Sequence, residues 1–331
     1  MKNMPRRILT SIAISFGVYF GIAALLIAFG TSDMPANEDN GPAFSELFFD
    51  YSGLPGLKSF TARDGSHLGY RYYPSEAETD KVVILLHGAG WHSQYFLPLA
   101  DFISSEGLAN VYTPDLRGHG PNPEKRGDID YIGQFEDDIA DLITIVREEH
   151  PDSILIVEGH SSGGGLAIRF AGSQYGNQAD AYLLLSPFLK YNAPTTRSNS
   201  GGFANPYTKR IAGLNMLNNL GIHRFDYLPA IEFNIPEEAR DGTETLSYSH
   251  RLMTAYAPSN YKKDISAITQ PLLVVAGTAD ESYYAERYEP VISQYADVQV
   301  ELLEGVTHMG VVVGYEVQPV VKEWLKDLAI P

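Results

Sequence analysis

A serine hydroxyl is a poor nucleophile at neutral pH. It needs an imidazole to take its proton and a carboxylate to hold the imidazole. Three stretches of the chain carry these groups just after apolar runs. Gly159-His160-Ser161-Ser162-Gly163 follows the run that begins at Ile154, and it has the G-x-S-x-G spacing of a serine on a sharp strand-to-helix turn. Side chains two residues before and after Ser161 would collide in such a turn, and glycine stands at both places. Asp280 lies in Gly277-Thr278-Ala279-Asp280-Glu281, after the run Pro271 to Ala276. His308 ends Glu304-Gly305-Val306-Thr307-His308, after Val298 to Leu303. The expected roles are nucleophile for Ser161, base for His308 and orienting acid for Asp280, with the adjacent Glu281 as the fallback acid.

The tetrahedral intermediate of acyl transfer needs N–H donors aimed at its oxyanion. One expected donor is the backbone of Ser162, directly after the nucleophile. The other is Ala89, in His87-Gly88-Ala89-Gly90-Trp91-His92, which follows the apolar run Lys81 to Leu86. The chain has nine histidines. His87 and His160 sit in glycine loops and are expected to hold them. His92 and His119 suit pocket lining or a structural role, and His67, His150, His223 and His250 lack a motif. Asp115 reads as a loop-holding carboxylate. Asp137, Asp138 and Asp141 read as a solvated helix face rather than a metal cluster. The chemistry calls for no metal and no organic cofactor.

These groups need a sheet whose strand ends meet. Strands are expected at 57–61, 68–73, 81–86, 110–113, 181–185, 271–276 and 298–303, besides the run before Ser161. Helices are expected at 93–105, 134–149, 285–295 and 319–328. Strand–helix alternation implies a mostly parallel sheet covered on both faces. It stops from about Pro187 to Lys263, where two helices are expected, at 206–220 and 245–255. That block reads as an inserted helical cap. The predicted organisation is an anchor over 1–30, a linker and lead-in over 31–56, a core over 57–186 and 264–331, and the cap over 187–263.

The chain has 331 residues, no cysteine and a net charge of −17. It therefore forms no disulfide and uses no thiolate. The acidic balance argues against a nucleic-acid surface. Ile8 to Phe29 carries no charged side chain, is preceded by Lys2, Arg6 and Arg7, and is followed by Asp33, Glu38 and Asp39. That length suits one membrane crossing, with the N-terminus cytoplasmic and the remainder outside. A cleaved signal peptide ending near Ala28-Phe29-Gly30 is the competing reading. The sequence leaves the oligomeric state open.

From about Leu57 to Leu328 the chain resembles the α/β-hydrolases of the serine-hydrolase type, most closely the monoacylglycerol lipase and lysophospholipase group. The resemblance rests on the His87–Ser93 stretch, Asp115-Leu116-Arg117-Gly118-His119-Gly120, Gly159–Gly164, Gly277–Asp280 and Glu304–His308. It implies Ser161, Asp280 and His308 as a triad, Ala89 and Ser162 as oxyanion donors, and a small-molecule or lipid ester as substrate. Family members often carry methionine where this chain has Ser162 and an acidic residue where it has Trp91. Phe203, Tyr207, Leu214, Met216 and Leu217 are candidates for an apolar acyl pocket or for cap core. Two other functions remain open. One is an exopeptidase, with Glu232, Glu237, Glu238 or Glu244 holding the substrate ammonium. The other is a non-catalytic, membrane-tethered binding protein.

Overall fold

The computed structural model describes residues 6–31 and 41–328. Its strands are β1 (Lys58–Thr61), β2 (His67–Tyr73), β3 (Lys81–Leu86), β4 (Asn110–Pro114), β5 (Ile154–His160), β6 (Ala181–Leu185), β7 (Ala204–Pro206), β8 (Pro229–Phe233), β9 (Ser247–Ser249), β10 (Leu272–Gly277) and β11 (Gln299–Leu303). Eight of them form one sheet in the order β1-β2-β4-β3-β5-β6-β10-β11. The pairings β1/β2 and β2/β4 are antiparallel, and the rest are parallel. The apolar runs of β3, β6 and β10 are buried on both faces, as parallel strands under helices must be.

The helices are α1 (Arg6–Phe29), α2 (Leu97–Ser105), α3 (Gln134–Glu149), α4 (Ser162–Ala171), α5 (Thr208–Asn218), α6 (His250–Ala255), α7 (Tyr261–Ser266), α8 (Tyr288–Ile292), α9 (Gly310–Val313) and α10 (Val317–Asp327). In α3 the stripe Phe135, Ile139, Leu142, Ile143 and Val146 is buried against the sheet. Asp138 departs from the expected solvated face: it is buried and paired with Arg117 at 2.7 Å. Burial pushes its carboxyl up to about 6, against the pull of that guanidinium.

Register places the site. Leu86 pairs with Gly159 across β3/β5, His160 with Leu185 across β5/β6, and Gly277 with Leu303 across β10/β11. The loops after β3, β5, β10 and β11 therefore leave the sheet along one edge, the carboxyl end where α/β sheets gather their functional groups.

Two regions differ from the sequence expectation. Between β6 and β10 the chain forms α5 and α6, but also a three-stranded antiparallel sheet, β7-β8-β9. Its strands have three to five residues, too few for alternation to show. The expected helix at 245–255 is β9 followed by α6. Of residues 31–56, expected as a linker and lead-in, 32–40 lie outside the described residues, and the rest include a 3₁₀ turn at Phe44–Leu47 that buries Phe44 and Leu47 in the core.

Among the described residues one helix is long and apolar enough to cross a membrane, over Thr10–Phe29, with mean hydropathy 2.4. Most of its surface is exposed, and its later half packs antiparallel on α5. Tyr19 Oη donates to the Met216 carbonyl at 2.7 Å, and Arg210 Nε donates to that of Ile27 at 3.2 Å.

Candidate active site

Ser161 sits between β5 and α4 with φ 55° and ψ −119°, a left-handed backbone that a non-glycine residue adopts only under constraint. The constraint is visible. The Ser161 N–H donates to the Leu185 carbonyl at 2.9 Å, and its carbonyl accepts from Phe188 and Gly165 at 2.8 and 3.1 Å. A Cβ on Gly163 would lie 2.0 Å from the Leu86 carbonyl oxygen, and one on Gly159 would lie 2.3 Å from that of Gly163. The turn closes only with glycine at both places.

His308 Nδ1 lies 2.9 Å from Asp280 Oδ2. Burial alone would raise the Asp280 pKa, but the adjacent imidazole and its hydrogen bond hold the carboxyl below its ordinary value. An ionised carboxylate only accepts, so Nδ1 carries the proton and Nε2 is left as an acceptor. Asp280 Oδ1 accepts the N–H groups of Ser282 and Tyr283, both at 2.8 Å. The neighbouring Glu281 has a different place: its Oε2 accepts the backbone N–H of His308 at 2.9 Å.

The histidines of the glycine loops form two hydrogen-bond chains whose directions follow from their ends. His160 Nε2 faces the His308 carbonyl at 3.1 Å, so this nitrogen carries the proton. Burial and the nearby His308 ring push the His160 pKa far down and keep the ring neutral. Its Nδ1 then accepts from Tyr95 Oη at 3.0 Å, and Tyr95 Oη accepts the Gly88 N–H at 2.7 Å. In the same way His119 donates from Nδ1 to the Arg117 carbonyl at 3.0 Å, and its Nε2 accepts from Tyr248 Oη at 2.7 Å. Tyr248 Oη accepts the Gly90 N–H at 2.7 Å. Gly88 and Gly90 are thus pinned on either side of Ala89. Among the described residues no partner takes the N–H of Ala89, or that of Ser162 at the first turn of α4.

His87 Nε2 accepts the Leu116 N–H at 3.0 Å, and its Nδ1 donates to the Gly88 carbonyl at 2.9 Å. Burial holds its pKa down at about 4. Asp115 accepts the Ser93 N–H at 3.0 Å and lies 3.4 Å from His92. His87, His92 and Asp115 therefore tie one glycine loop to the next.

Ser161, His308 and Ala89 line one cavity of about 20 Å³, with Pro42, Phe44, Leu47, Trp91 and Phe203 above them. Phe44 stacks on Trp91 at 6.2 Å between centroids and tilts against Phe203 at 5.7 Å. A single water needs roughly 10–15 Å³, so this space holds about one water and no ester. Glu46 Oε2 accepts from Thr307 Oγ1 at 2.7 Å, which fastens the roof beside His308.

The structure brings Ser161, His308 and Ala89 to one cavity and ties Asp280 to His308, but the Ser161 hydroxyl is hydrogen-bonded to Tyr283 Oη at 3.3 Å, not to the imidazole. Phe44, Leu47, Tyr95, Tyr248 and Tyr283 were not singled out from the sequence. Only Tyr283 carried a signal, its place three residues after Asp280. Of the acyl-pocket candidates Phe203 lines the cavity, whereas Leu214 and Leu217 are buried in α5. Glu232 accepts from Tyr207 Oη, Glu244 accepts the Gly242 N–H at 2.8 Å, and Glu237 and Glu238 face solvent.

A monoacylglycerol lipase of Mycolicibacterium smegmatis is 32% identical over 129 residues, 39% of this chain and 45% of that protein. A human monoglyceride lipase is 28% identical over 155 residues, 47% of this chain and 50% of that protein. The chain thus spans about half the length of these curated relatives. The crystal structure of a soluble variant of Saccharomyces cerevisiae monoglyceride lipase superposes with a TM-score of 0.63 at 17% identity. That match covers 84% of this chain and 97% of that one, a likeness of fold. The family model described as "Serine aminopeptidase, S33" matches residues 77–311, which take in the β3, β5, β10 and β11 loops, and the chain belongs to that family of α/β-hydrolases.

Proposed function

We propose that the chain is a serine hydrolase that cleaves carboxylic esters through an acyl-enzyme on Ser161, with a lipid-derived ester such as a monoacylglycerol as substrate. The observation that carries this reading is the Asp280–His308 pair beside Ser161, next to an Ala89 N–H kept free by its pinned neighbours. His308 Nε2 takes the Ser161 proton as Oγ bonds to the ester carbonyl carbon. The carbonyl electron pair moves onto oxygen, facing the N–H groups of Ala89 and Ser162. Collapse expels the alcohol, which leaves with the proton held by His308. Water then attacks the acyl-enzyme by the same route in reverse. All of this uses the chain's own groups.

The apolar roof of Phe44, Leu47, Trp91 and Phe203 favours an acyl chain, and it must move to admit one. Residues 187–263 are read as the cap that carries part of this roof. The span Thr10–Phe29, with Arg6 and Arg7 at its start, supports an anchor with a cytoplasmic N-terminus and the catalytic part outside. A membrane anchor places the site where monoacyl lipids reside.

The family description brings the exopeptidase reading forward, but the site speaks against it. A free ammonium needs a carboxylate, and among the described residues those lining the Ser161 cavity include no acidic one. The test is a fluorophosphonate probe on the detergent-solubilised full chain, with esters and aminoacyl-arylamides as competitors and Ser161→Ala as control. Labelling of Ser161 that long-chain monoacylglycerols suppress supports the proposal. Suppression by aminoacyl-arylamides alone, or turnover of short soluble esters with monoacylglycerols untouched, would overturn the substrate assignment.

A further inference from the structure

The Ser161 oxygen has a neighbour that the triad does not use. Tyr283 Oη lies 3.3 Å from Ser161 Oγ, and its ring stands edge-on to the His308 ring, with centroids 5.2 Å apart at 70°. The side chain is buried. Its backbone N–H donates to Asp280 Oδ1 at 2.8 Å, while Oδ2 of the same carboxylate takes His308 Nδ1. A backbone bridge to Thr196 and the Arg197 Nε bond to the Tyr283 carbonyl at 3.1 Å hold the other side. One carboxylate thus positions two groups against the nucleophile: an imidazole with a free acceptor nitrogen and a phenol with a hydroxyl.

We propose that Tyr283 is a further catalytic residue, whose O–H donates to Ser161 Oγ while that oxygen carries negative charge. The claim rests on Ser161 being the nucleophile. Burial pushes the Tyr283 phenol well up from its ordinary value, so it keeps its proton and acts as a donor, never as a competing base.

The charge on Oγ rises twice in the cycle. In acylation the Ser161 proton passes to His308 Nε2 as the Oγ–carbon bond forms. In deacylation that bond breaks, Oγ leaves with the bonding pair, and His308 returns a proton to it. Between these steps Oγ is an ester oxygen, a weak acceptor. A donor fixed at this atom therefore binds both transition states more strongly than the resting enzyme or the acyl-enzyme, which is the condition for catalysis. The 3.3 Å separation is long for a hydroxyl pair, as catalytic hydrogen bonds often are before substrate binds. The hydroxyl is distinct from the oxyanion donors: it acts on the serine oxygen, whereas Ala89 and Ser162 face the carbonyl oxygen.

Tyr283→Phe in the full-length chain removes the donor and keeps the ring against His308. With a soluble p-nitrophenyl ester, kcat should fall about 10- to 100-fold, the loss of one hydrogen bond to a charged oxygen, while KM stays within about twofold. Second-order labelling by a fluorophosphonate should slow by a similar factor, and the melting temperature should hold. A role confined to packing would move the melting temperature and leave the labelling rate per folded molecule intact. A kcat within twofold of the parent, or above it, would overturn the proposal; a rise would mean that the tyrosine restrains the serine. If the phenylalanine variant fails to fold, Tyr283→Met fills the space without a hydroxyl and is judged by the same criteria. Ser161→Ala separates the two readings. An active Ser161→Ala enzyme sinks the serine mechanism, whereas an inactive one beside a normal Tyr283→Phe enzyme sinks only the tyrosine's part.

Discussion

The floor of the Ser161 cavity is made by loops that leave the sheet at strand ends; its roof is made by Pro42, Phe44, Leu47 and Phe203, all outside that sheet, with Trp91 reaching up from the β3 loop. Floor residues are fixed by directional bonds: the Asp280–His308 contact at 2.9 Å and the Tyr95 and Tyr248 bonds to Gly88 and Gly90 at 2.7 Å. The roof rests mainly on packed rings, one pair stacked and one tilted, which are held by area rather than by directional bonds. A site needs both behaviours. Atoms that react must be placed to within a fraction of an ångström, while the cover over a 20 Å³ space must yield before any ester enters. Substitutions below should therefore act on rate, and those above on selection.

The largest effect belongs to the floor. Ser161→Ala should lower ester turnover by at least about 1,000-fold and abolish fluorophosphonate labelling, with an unchanged melting temperature. Asp280→Asn should follow, with a loss of about 1,000- to 10,000-fold in kcat, because an amide no longer fixes the His308 proton on Nδ1. The comparison sharpens at the next residue. Among the described residues the Glu281 carboxylate holds the backbone N–H of His308 and not its ring, so Glu281→Gln should stay within about tenfold of the parent. Kinetics of the two variants side by side check this; equal losses would erase the distinction between ring and backbone.

The floor was legible in the sequence and the roof was not, for a physical reason. Ser161, Asp280 and His308 each lie in the loop that follows a strand, and the elbow demands glycines at fixed offsets, so short-range rules expose them. Phe44 and Leu47 lie in a short 3₁₀ turn among prolines and glycines, with no periodicity to mark a buried face. Their burial is decided by residues such as Trp91 and Phe203, far along the chain. The sheet β7-β8-β9 was missed because its strands are too short to alternate. Tyr283 sits in the loop of Asp280, but a tyrosine there has no motif until its hydroxyl is seen beside Oγ.

Phe44→Ala tests the roof. Removing the ring takes away an apolar wall worth about 1–2 kcal/mol of chain contact. The kcat/KM for long-chain monoacylglycerols should fall about fivefold to thirtyfold. That for a short p-nitrophenyl ester should hold or rise, since the cavity opens. Measuring both substrates on one preparation decides the matter. A parallel loss on both would place Phe44 with the floor.

The smallest effect on catalysis comes from a conflict inside the floor. Glu158 lies in β5 three residues before Ser161, fully buried, and among the described residues neither of its carboxyl oxygens has a partner. Burial pushes its pKa well up, so it folds as a neutral acid; its strand neighbours in register are Leu85 and Leu183. Tyr95, buried and also driven toward its neutral form, is the titratable group whose charge it would oppose. The sign follows. An acid whose folded pKa exceeds its unfolded value binds its proton more tightly when folded. Its contribution is fully present below the unfolded pKa, about 4.3, and erodes by about 1.4 kcal/mol per pH unit as pH climbs toward the folded value. Glu158→Leu removes both the partnerless carboxyl and this erosion. The variant should be more stable by about 1–3 kcal/mol at pH 4.5, with the gap widening toward pH 7.5 and turnover within about threefold of the parent. Thermal melts of the detergent-solubilised chain at the two pH values check it. A leucine variant that is less stable at both would mean that the carboxyl meets a partner, and that β5 carries no such conflict beneath the serine.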